Sequence, residues 1–241
     1  MESTFRFKQF SVRQNHCAMK VGTDGILLGA WCSPCSNNLT TARILDIGTG
    51  TGLIALMLAQ RNPHALVDAV EIDIAACEQA AENFAASPWS ERLRAIPGCV
   101  KNLRAALKYD LIVSNPPWFS DSLKSPSEAR NTARHDDTLN AIDLLVSVDR
   151  LLAVDGRFST VLPSVSGQRF IENAAQTGLH CVRHCQVMPN ADKLPARCVL
   201  EFSRTPPVSL LVLETLIVET ATRHDYTPDF RDLTRDFYLR F

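Results

Sequence analysis

The fold is decided at residues 42–52, which read ARILDIGTGTG. The first six residues are largely apolar, which is typical of a strand in the interior of a parallel sheet. Gly48, Gly50 and Gly52 follow at alternate positions, where they let the chain turn tightly and let a ligand approach the backbone. Residues 53–60 then have the pattern of a helix. A strand, a glycine loop and a helix in this order predict the first unit of an α/β fold.

The same alternation continues along the chain. Further strands are predicted at 65–71, 94–96, 111–114, 156–162, 179–187 and, as the last sheet strand, 196–203, and helices at 74–86, 138–152 and 166–177. This order predicts a mostly parallel sheet with helices on both faces, in a single domain. Residues 1–31 form a leader with a mixed helical or turn end that packs on or near the site, and 32–241 form the main body. Such sheets bind ligands at the carboxyl ends of their strands, so we expect the site in the loops after the first, second and fourth strands.

Composition excludes several classes of protein. The chain has 241 residues, of which 46% are hydrophobic and 21% charged, as expected for a globular protein with a sizeable core. The net charge of -1 gives no protein-wide positive field, so any contact with nucleic acid has to come from local patches. Neither a membrane-spanning run nor a signal peptide is recognisable, which predicts a cytoplasmic protein.

Eight cysteines in a cytoplasmic chain are expected to be free thiols. Cys32 and Cys35 have the spacing of a thioredoxin redox motif, but a polar segment follows them where that motif needs a helix. Two adjacent pairs, His180-Cys181 and His184-Cys185, lie in a predicted strand, where neighbouring side chains point to opposite faces. A closed zinc site needs four converging ligands, so we predict no metal site.

Two acidic residues, one at the start of the glycine loop and one at the end of the next strand, indicate which ligand the loop binds. Glu71 ends the second predicted strand, about twenty residues after the loop, where a carboxylate accepts hydrogen bonds from the ribose hydroxyls of an adenosine ligand. The loop lacks the lysine of a phosphate-binding loop and begins with Asp46, which suits a ligand that carries a positive amino group. These features favour S-adenosyl-L-methionine over a dinucleotide, with Asp46, Gly48, Gly50, Gly52 and Glu71 as binding residues.

The fourth loop begins with Asn115-Pro116-Pro117-Trp118. An exocyclic amine on a purine is a poor nucleophile because its lone pair is delocalised into the ring. An Asn carbonyl and a main-chain carbonyl can accept its two hydrogens, proline stiffens the loop, and an aromatic ring stacks on a flat substrate. The loops after the first, second and fourth strands resemble those of class I methyltransferases, and this tetrad resembles the Asn-Pro-Pro-aromatic motif of the enzymes that methylate amino groups.

That resemblance implies a Rossmann-like fold with a seven-stranded, mostly parallel sheet. It also implies catalytic roles for the four residues of the tetrad and a cofactor contact for Asn115. Trp118 stands where this motif often has Tyr or Phe, and its larger face is expected to stack equally. Cys99 stands where many class I enzymes have an acidic residue against the cofactor adenine, and a thiol is a poor acceptor. The sequence therefore assigns no residue to that adenine.

Nearly the whole chain is similar to the bacterial tRNA adenine-N6 methyltransferases. The resemblance is carried by FRFKQF at 5–10, KVGTDGILLGAW at 20–31, Arg134-His135, YTPDF at 226–230 and LTRDFYL at 233–239. It implies methyl transfer to adenine N6 in a tRNA anticodon loop, at the adenine 3′ of the anticodon in valine tRNA. Lys20, Thr23 and Asp24 of the opening motif are expected to contribute to the cofactor site.

The expected partner is the anticodon stem-loop of tRNA, and no obligate protein partner is inferred. The leader carries Arg6, Lys8 and Arg13 among phenylalanines. Cations that meet phosphates and aromatics that stack on unpaired bases suit an anticodon loop. Alternatively, the phenylalanines pack on the core and only the cations face outward. Further RNA contacts are expected after the tetrad, at Lys124, Arg130 and Arg134.

Three other functions stay open at this point. A protein glutamine amide is an alternative substrate, since that family shares Asn-Pro-Pro-Tyr, but no separate helical N-terminal domain is recognisable. DNA adenine is another, although no target-recognition domain is evident. A non-catalytic nucleic-acid-binding protein would be the third, and the presence of Glu71 and Asn115 argues against it.

Overall fold

The computed structural model describes residues 3–17, 19–35, 41–117, 139–208 and 213–241. The strands are β1 (Thr4–Arg6), β2 (Ser11–Arg13), β3 (Arg43–Ile47), β4 (Leu66–Glu71), β5 (Leu93–Pro97), β6 (Tyr109–Ser114), β7 (Leu152–Pro163), β8 (His180–Met188), β9 (Arg197–Ser203) and β10 (Leu213–Ile217). The α-helices are α1 (Thr23–Trp31), α2 (Leu53–Arg61), α3 (Ile74–Ala85), α4 (Ala141–Leu151), α5 (Ser164–Gln176) and α6 (Pro228–Thr234).

Eight strands form the main sheet, in the order β10-β8-β9-β7-β6-β3-β4-β5. The five adjacent strands β7, β6, β3, β4 and β5 are parallel to one another, and β9 runs antiparallel to both β7 and β8. The chain moves from β3 outward through β4 to β5 and then returns to place β6 on the other side of β3. Strand order therefore reverses between β3 and β6, which is the position where open α/β sheets bind ligands.

The prediction of seven strands, with 196–203 as the last, was wrong by one strand. β10 extends the sheet beyond β8 and runs parallel to it, from Leu213 beside His184 to Ile217 beside Met188. In β10 only Leu216 is buried. A short edge strand of this kind leaves a weak apolar pattern, which is why the sequence did not reveal it.

Helices cover both faces of the sheet, as predicted, and each face has its own core. Successive residues of a strand point to opposite faces, and Ile44 and Leu45 of β3 accordingly belong to different cores. The first core contains the apolar side chains of α1, α2 and α3, and the second contains those of α4 and α5. The buried faces of the helices thus hold β3 and β6 in place from above and below.

The leader packs against the C-terminal segment. β1 and β2 form an antiparallel hairpin, and between them Phe7 and Phe10 are 4% and 6% exposed and stack with ring centroids 4.6 Å apart. Lys8 donates its Nζ hydrogens to the main-chain oxygens of Arg235 and Phe241. Of the two arrangements expected for the leader, the structure has the phenylalanines packed on the core.

The cysteine motif at 32–35 follows a helix instead of preceding one. Cys32 caps the C-terminus of α1, and burial raises its pKa to about 11 and that of Cys35 to about 12. Both thiols are therefore protonated near neutral pH, which is opposite to the low pKa that a redox cysteine needs.

The described residues contain neither a metal-binding cluster nor a membrane-spanning helix. No group of three or more His, Cys, Asp or Glu side chains is arranged to hold a metal ion within these ranges. None of the helices in the described part of the chain is both long and apolar enough to span a bilayer.

Candidate active site

The loops after β3, β4, β5 and β6 meet around one cavity of about 310 Å³ at the carboxyl edge of the sheet. Its lining includes Gly48, Gly50, Glu71, Asn115 and Pro117, all of which the sequence predicted as site residues. The size is at the lower end of the range for pockets that bind a small molecule or cofactor. The structure thus brings together the glycine loop, the acidic residue and the Asn-Pro-Pro segment.

The glycine loop is shaped by left-handed backbone conformations. Gly48 and Gly50 have φ of 71° and 55°, and a Cβ atom on either would meet no described atom within 4 Å. At Gly52, with φ of 82°, a Cβ would lie 2.5 Å from the ring of Phe84 on α3. Gly52 therefore allows the loop to pack on α3, while Gly48 and Gly50 leave the cavity side of the loop open for a ligand.

Glu71 is held by main-chain hydrogen bonds. Its Oε2 accepts from the Gly50 N–H at 2.9 Å and its Oε1 from the Asp73 N–H at 3.0 Å. Each carboxylate oxygen can accept more than one hydrogen bond, so both can still serve a ligand. Asp73 is the N-cap of α3, where its Oδ1 accepts from the Ala76 N–H at 2.9 Å.

Asp46 lies beneath the loop and is completely buried. Its Oδ2 accepts from the Thr49 hydroxyl at 2.6 Å, whereas Oδ1 has no hydrogen-bond partner among the described residues. Burial raises the pKa of Asp46 to about 7, and this effect outweighs the Thr49 hydroxyl and the nearby Ala55 N–H, which lower it. The carboxyl group therefore changes charge near neutral pH.

The raised pKa of Asp46 predicts how stability depends on pH. Because the folded state binds the Asp46 proton more tightly than the unfolded state, the contribution of Asp46 to the free energy of unfolding is highest at acidic pH. It should fall by about 1.4 kcal/mol per pH unit between about pH 4 and pH 7, relative to Asp46→Asn, which does not titrate there. Urea unfolding of both proteins at pH 5, 6, 7 and 8 measures this difference, which should level off above pH 7. Parallel curves throughout would contradict the raised pKa.

The Asn-Pro-Pro segment starts at the end of β6. Ser114 is paired with Ile47 of β3, and its hydroxyl donates to the Ile47 carbonyl at 2.9 Å. This bond fixes the start of the segment beside the glycine loop. Asn115 is half-buried and Pro117 exposed, and both line the cavity, whereas Pro116 is buried. The side chain of Asn115 is thus at the wall of the same cavity as Glu71.

Other residues predicted for the site have different positions. Lys20 and Thr23 are exposed, and none of Lys20, Thr23 and Asp24 lines the cavity. The Asp24 carboxylate pairs with the Arg197 guanidinium at 2.9 Å. Their part in cofactor binding stays a prediction. Four further predicted site residues lie outside the described ranges, namely Trp118, Lys124, Arg130 and Arg134. His135 lies outside them as well.

Sequence reasoning missed part of the cavity wall. Cys17 and Met19, from the segment between β2 and α1, line the cavity together with Ile72. Only the general prediction that the leader packs on or near the site pointed to them, because nothing in their local sequence marks a binding residue. Cys99 also lines the cavity, at the end of the loop after β5.

Comparison with known proteins places this architecture in a family. The family described as "Methyltransferase small domain" matches residues 32–161. A Bacteroides fragilis protein named tRNA1(Val) (adenine(37)-N6)-methyltransferase is 45% identical over 239 residues, with 98% of each chain covered. The chain belongs to the tRNA1(Val) (adenine(37)-N6)-methyltransferase family. A tRNA1(Val) (adenine(37)-N6)-methyltransferase from Parabacteroides distasonis is 47% identical over 241 residues, and one from Dyadobacter fermentans is 41% identical over 240, each with 98% of both chains covered.

Solved structures agree on the fold. A "predicted O-methyltransferase" from Agrobacterium tumefaciens superposes with a TM-score of 0.64 at 20% identity, covering 89% of this chain and 96% of that one. The CcbJ methyltransferase from Streptomyces caelestis superposes with a TM-score of 0.54 at 15% identity, covering 77% and 97%. These likenesses confirm that the chain has the Rossmann-like fold of class I methyltransferases. They carry no information on its substrate.

Proposed function

We propose that this chain transfers a methyl group from S-adenosyl-L-methionine to the N6 amine of an adenine in a tRNA anticodon loop. The substrate is the adenine 3′ of the anticodon in valine tRNA, and the names of the relatives give adenine 37 of tRNA1(Val) as the methylated base of those proteins. One observation carries the proposal. The glycine loop, Glu71 and Asn115, which are far apart in sequence, line one cavity at the point where strand order reverses.

The residues that line the cavity suit the chemistry of the cofactor. The open face of Gly48 and Gly50 lets a ligand lie directly on the main chain, and Glu71 offers carboxylate oxygens at the position that suits a ribose diol. When bound, the cofactor supplies an electrophilic methyl group on a positively charged sulfur. Asp46, next to the loop, supplies a negative charge once it ionises, which favours a ligand with a positive amino group.

Asn115 and Pro116 orient the amine of the substrate. We assign the Asn115 side-chain oxygen and the Pro116 carbonyl oxygen to its two hydrogens, so that the nitrogen lone pair points at the methyl group. Transfer requires the nitrogen, methyl carbon and sulfur to be nearly collinear, so these residues act by positioning and not as strong bases. Trp118 is assigned to stack on the adenine after it leaves its own stack.

The hairpin β1–β2 supplies an RNA-facing surface. Arg6 and Arg13 lie on its exposed face, opposite the buried Val12, and both border a groove between the hairpin and the end of α3. Lys8 also borders the groove, although its amine is bound to main-chain oxygens of the C-terminal segment. We assign Arg6 and Arg13 to the phosphates of the anticodon stem-loop, and Lys8 to holding the hairpin in place.

Neutralising both arginines should weaken RNA binding in a salt-dependent way. The double variant Arg6→Ala, Arg13→Ala should reduce the slope of log Kd against log salt concentration by about 1.5. Each arginine that no longer contacts a phosphate lowers the number of counterions that binding releases. Cofactor affinity should not change. Titration of a labelled anticodon stem-loop at several salt concentrations measures the slope, and the exposed Arg104 and Arg157 provide a matched double alanine control. An unchanged slope in the Arg6 and Arg13 variant would place the RNA contacts elsewhere.

Nucleoside mass spectrometry tests the function as a whole. Valine tRNA from cells that lack the gene should contain no N6-methyladenosine, and the purified protein with S-adenosyl-L-methionine should restore it. The same protein should methylate neither duplex DNA nor a glutamine-containing peptide. Methylation of either of these with none of tRNA would favour the corresponding alternative substrate. Binding of tRNA without methylation of any of the three would favour a non-catalytic role.

A further inference from the structure

The side chain of Asn83 makes three hydrogen bonds inside the protein. Asn83 lies on α3 and is 2% exposed. Its Oδ1 accepts from the Arg13 N–H at 2.9 Å, and its Nδ2 donates to the Arg13 carbonyl at 2.9 Å and to the Thr51 carbonyl at 2.8 Å. Both partners of Nδ2 are acceptors, so the orientation of the amide is fixed by its surroundings.

These bonds join two parts of the molecule that have different proposed tasks. Arg13 belongs to β2 of the hairpin, the proposed RNA surface. Thr51 lies between Gly50 and Gly52 in the loop of the cofactor cavity. The ring of the next residue, Phe84, fills the space beneath Gly52, so the loop packs closely on α3. One turn of helix therefore contacts the loop and the hairpin at once.

A second amide on the same helix extends the connection to the cavity wall. Gln79 is also 2% exposed, and its Oε1 accepts from the Asn15 N–H at 3.2 Å. Two residues further along the chain, Cys17 lines the cofactor cavity, as does Met19. The main chain between the hairpin and this wall is thus attached to α3 immediately before it reaches the cavity.

We infer that Asn83 is a positioning residue that couples RNA binding at the hairpin to cofactor binding at the glycine loop. One buried amide sets the position of both segments. A ligand that orders one of them therefore lowers the cost of ordering the other, and the effect is reciprocal. The inference rests on the proposed function of the hairpin as the RNA surface.

Calorimetry measures the coupling directly. The probe is S-adenosylhomocysteine, titrated with and without a saturating valine-tRNA anticodon stem-loop. In the unmodified protein the stem-loop should tighten binding by about fivefold or more, which is the lower range of known allosteric couplings. In Asn83→Ala this ratio should fall to about one, because the loop and the hairpin no longer share a partner. A ratio in Asn83→Ala equal to that of the unmodified protein would overturn the role of Asn83.

Asn62 provides a matched control. It is 6% exposed, and its side chain accepts from the Cys35 N–H at 2.9 Å and donates to the Leu58 carbonyl at 2.9 Å, so these hydrogen bonds reach neither the loop nor the hairpin. Asn62→Ala removes a buried amide of the same kind, so it should lower stability yet keep the full coupling ratio. Loss of the ratio in this control as well would overturn a specific role for Asn83. Failure of the stem-loop to bind the unmodified protein would instead overturn the proposed RNA surface.

Hydrogen exchange tests the connection without any substitution or RNA. S-adenosylhomocysteine alone should slow exchange of the Arg13 and Asn15 amide protons in the unmodified protein, because Asn83 and Gln79 accept hydrogen bonds from them. Unchanged exchange at both amides on saturation would overturn the coupling, whatever the RNA experiments show.

Discussion

Asn115→Ala is expected to reduce the rate of methyl transfer by about a hundredfold or more, while cofactor affinity stays nearly the same. Asn115 lines the cavity, and its side chain is assigned to orient the amine. An interaction that matters mostly in the transition state lowers turnover without changing ground-state binding. The rate is measured by single-turnover methylation of an anticodon stem-loop at saturating S-adenosyl-L-methionine, and the affinity by calorimetry.

Asn102→Ala is the matched control for this experiment, because Asn102 is an exposed asparagine that does not line the cavity. It should methylate at the rate of the unmodified protein. If Asn115→Ala also does so, the Asn-Pro-Pro segment is a structural turn, and the assignment to amine methylation fails with it. Equal loss of rate and of cofactor affinity would show that Asn115 mainly shapes the cofactor cavity.

Glu71→Ala should weaken binding of S-adenosyl-L-methionine by roughly ten- to a hundredfold. The substitution removes a pair of charge-assisted hydrogen bonds to the ribose, worth about 1.5–3 kcal/mol. It also leaves the N–H groups of Gly50 and Asp73 without their acceptor, which loosens the glycine loop. Glu71→Gln keeps one acceptor oxygen and should have an intermediate affinity in calorimetric titrations.

Glu91→Ala is the control, since Glu91 is an exposed carboxylate that does not line the cavity. It should leave the dissociation constant unchanged. Unaltered affinity in Glu71→Ala would show that Glu71 is not the ribose ligand. Asp73 would then be the next candidate, since it lines the cavity as well as capping α3.

The local sequence determined the first strand of the main sheet and the glycine loop, because side-chain polarity and backbone conformation within a few residues control both. Residues 42–47 are apolar enough for a buried strand, and the observed β3 lies within them. The positive φ values of Gly48, Gly50 and Gly52 are conformations that glycine adopts without strain, so the loop was recognisable from residue type alone. The parallel order of β3, β4 and β6 then placed Glu71 and Asn115 at one edge, because parallel strands end on the same side.

Features that depend on distant parts of the chain were decided only by the tertiary structure. The eighth strand, β10, forms by hydrogen bonding to the edge of β8. Its own apolar pattern is too weak to predict a strand. From the sequence, the leader phenylalanines could either stack on RNA bases or pack in the core. In the structure they are packed in the core, where the ring of Phe7 lies beside that of Tyr238 in the C-terminal segment.

Electrostatic properties and buried polar contacts were equally inaccessible from sequence. The pKa of Asp46 is raised because the folded chain buries its carboxyl group away from water. Asn83 joins Arg13 to Thr51 across separations of 70 and 32 residues. Periodicity and motif spacing report on the residues of one strand, loop or helix, whereas desolvation and hydrogen bonding between distant segments exist only after the chain has folded.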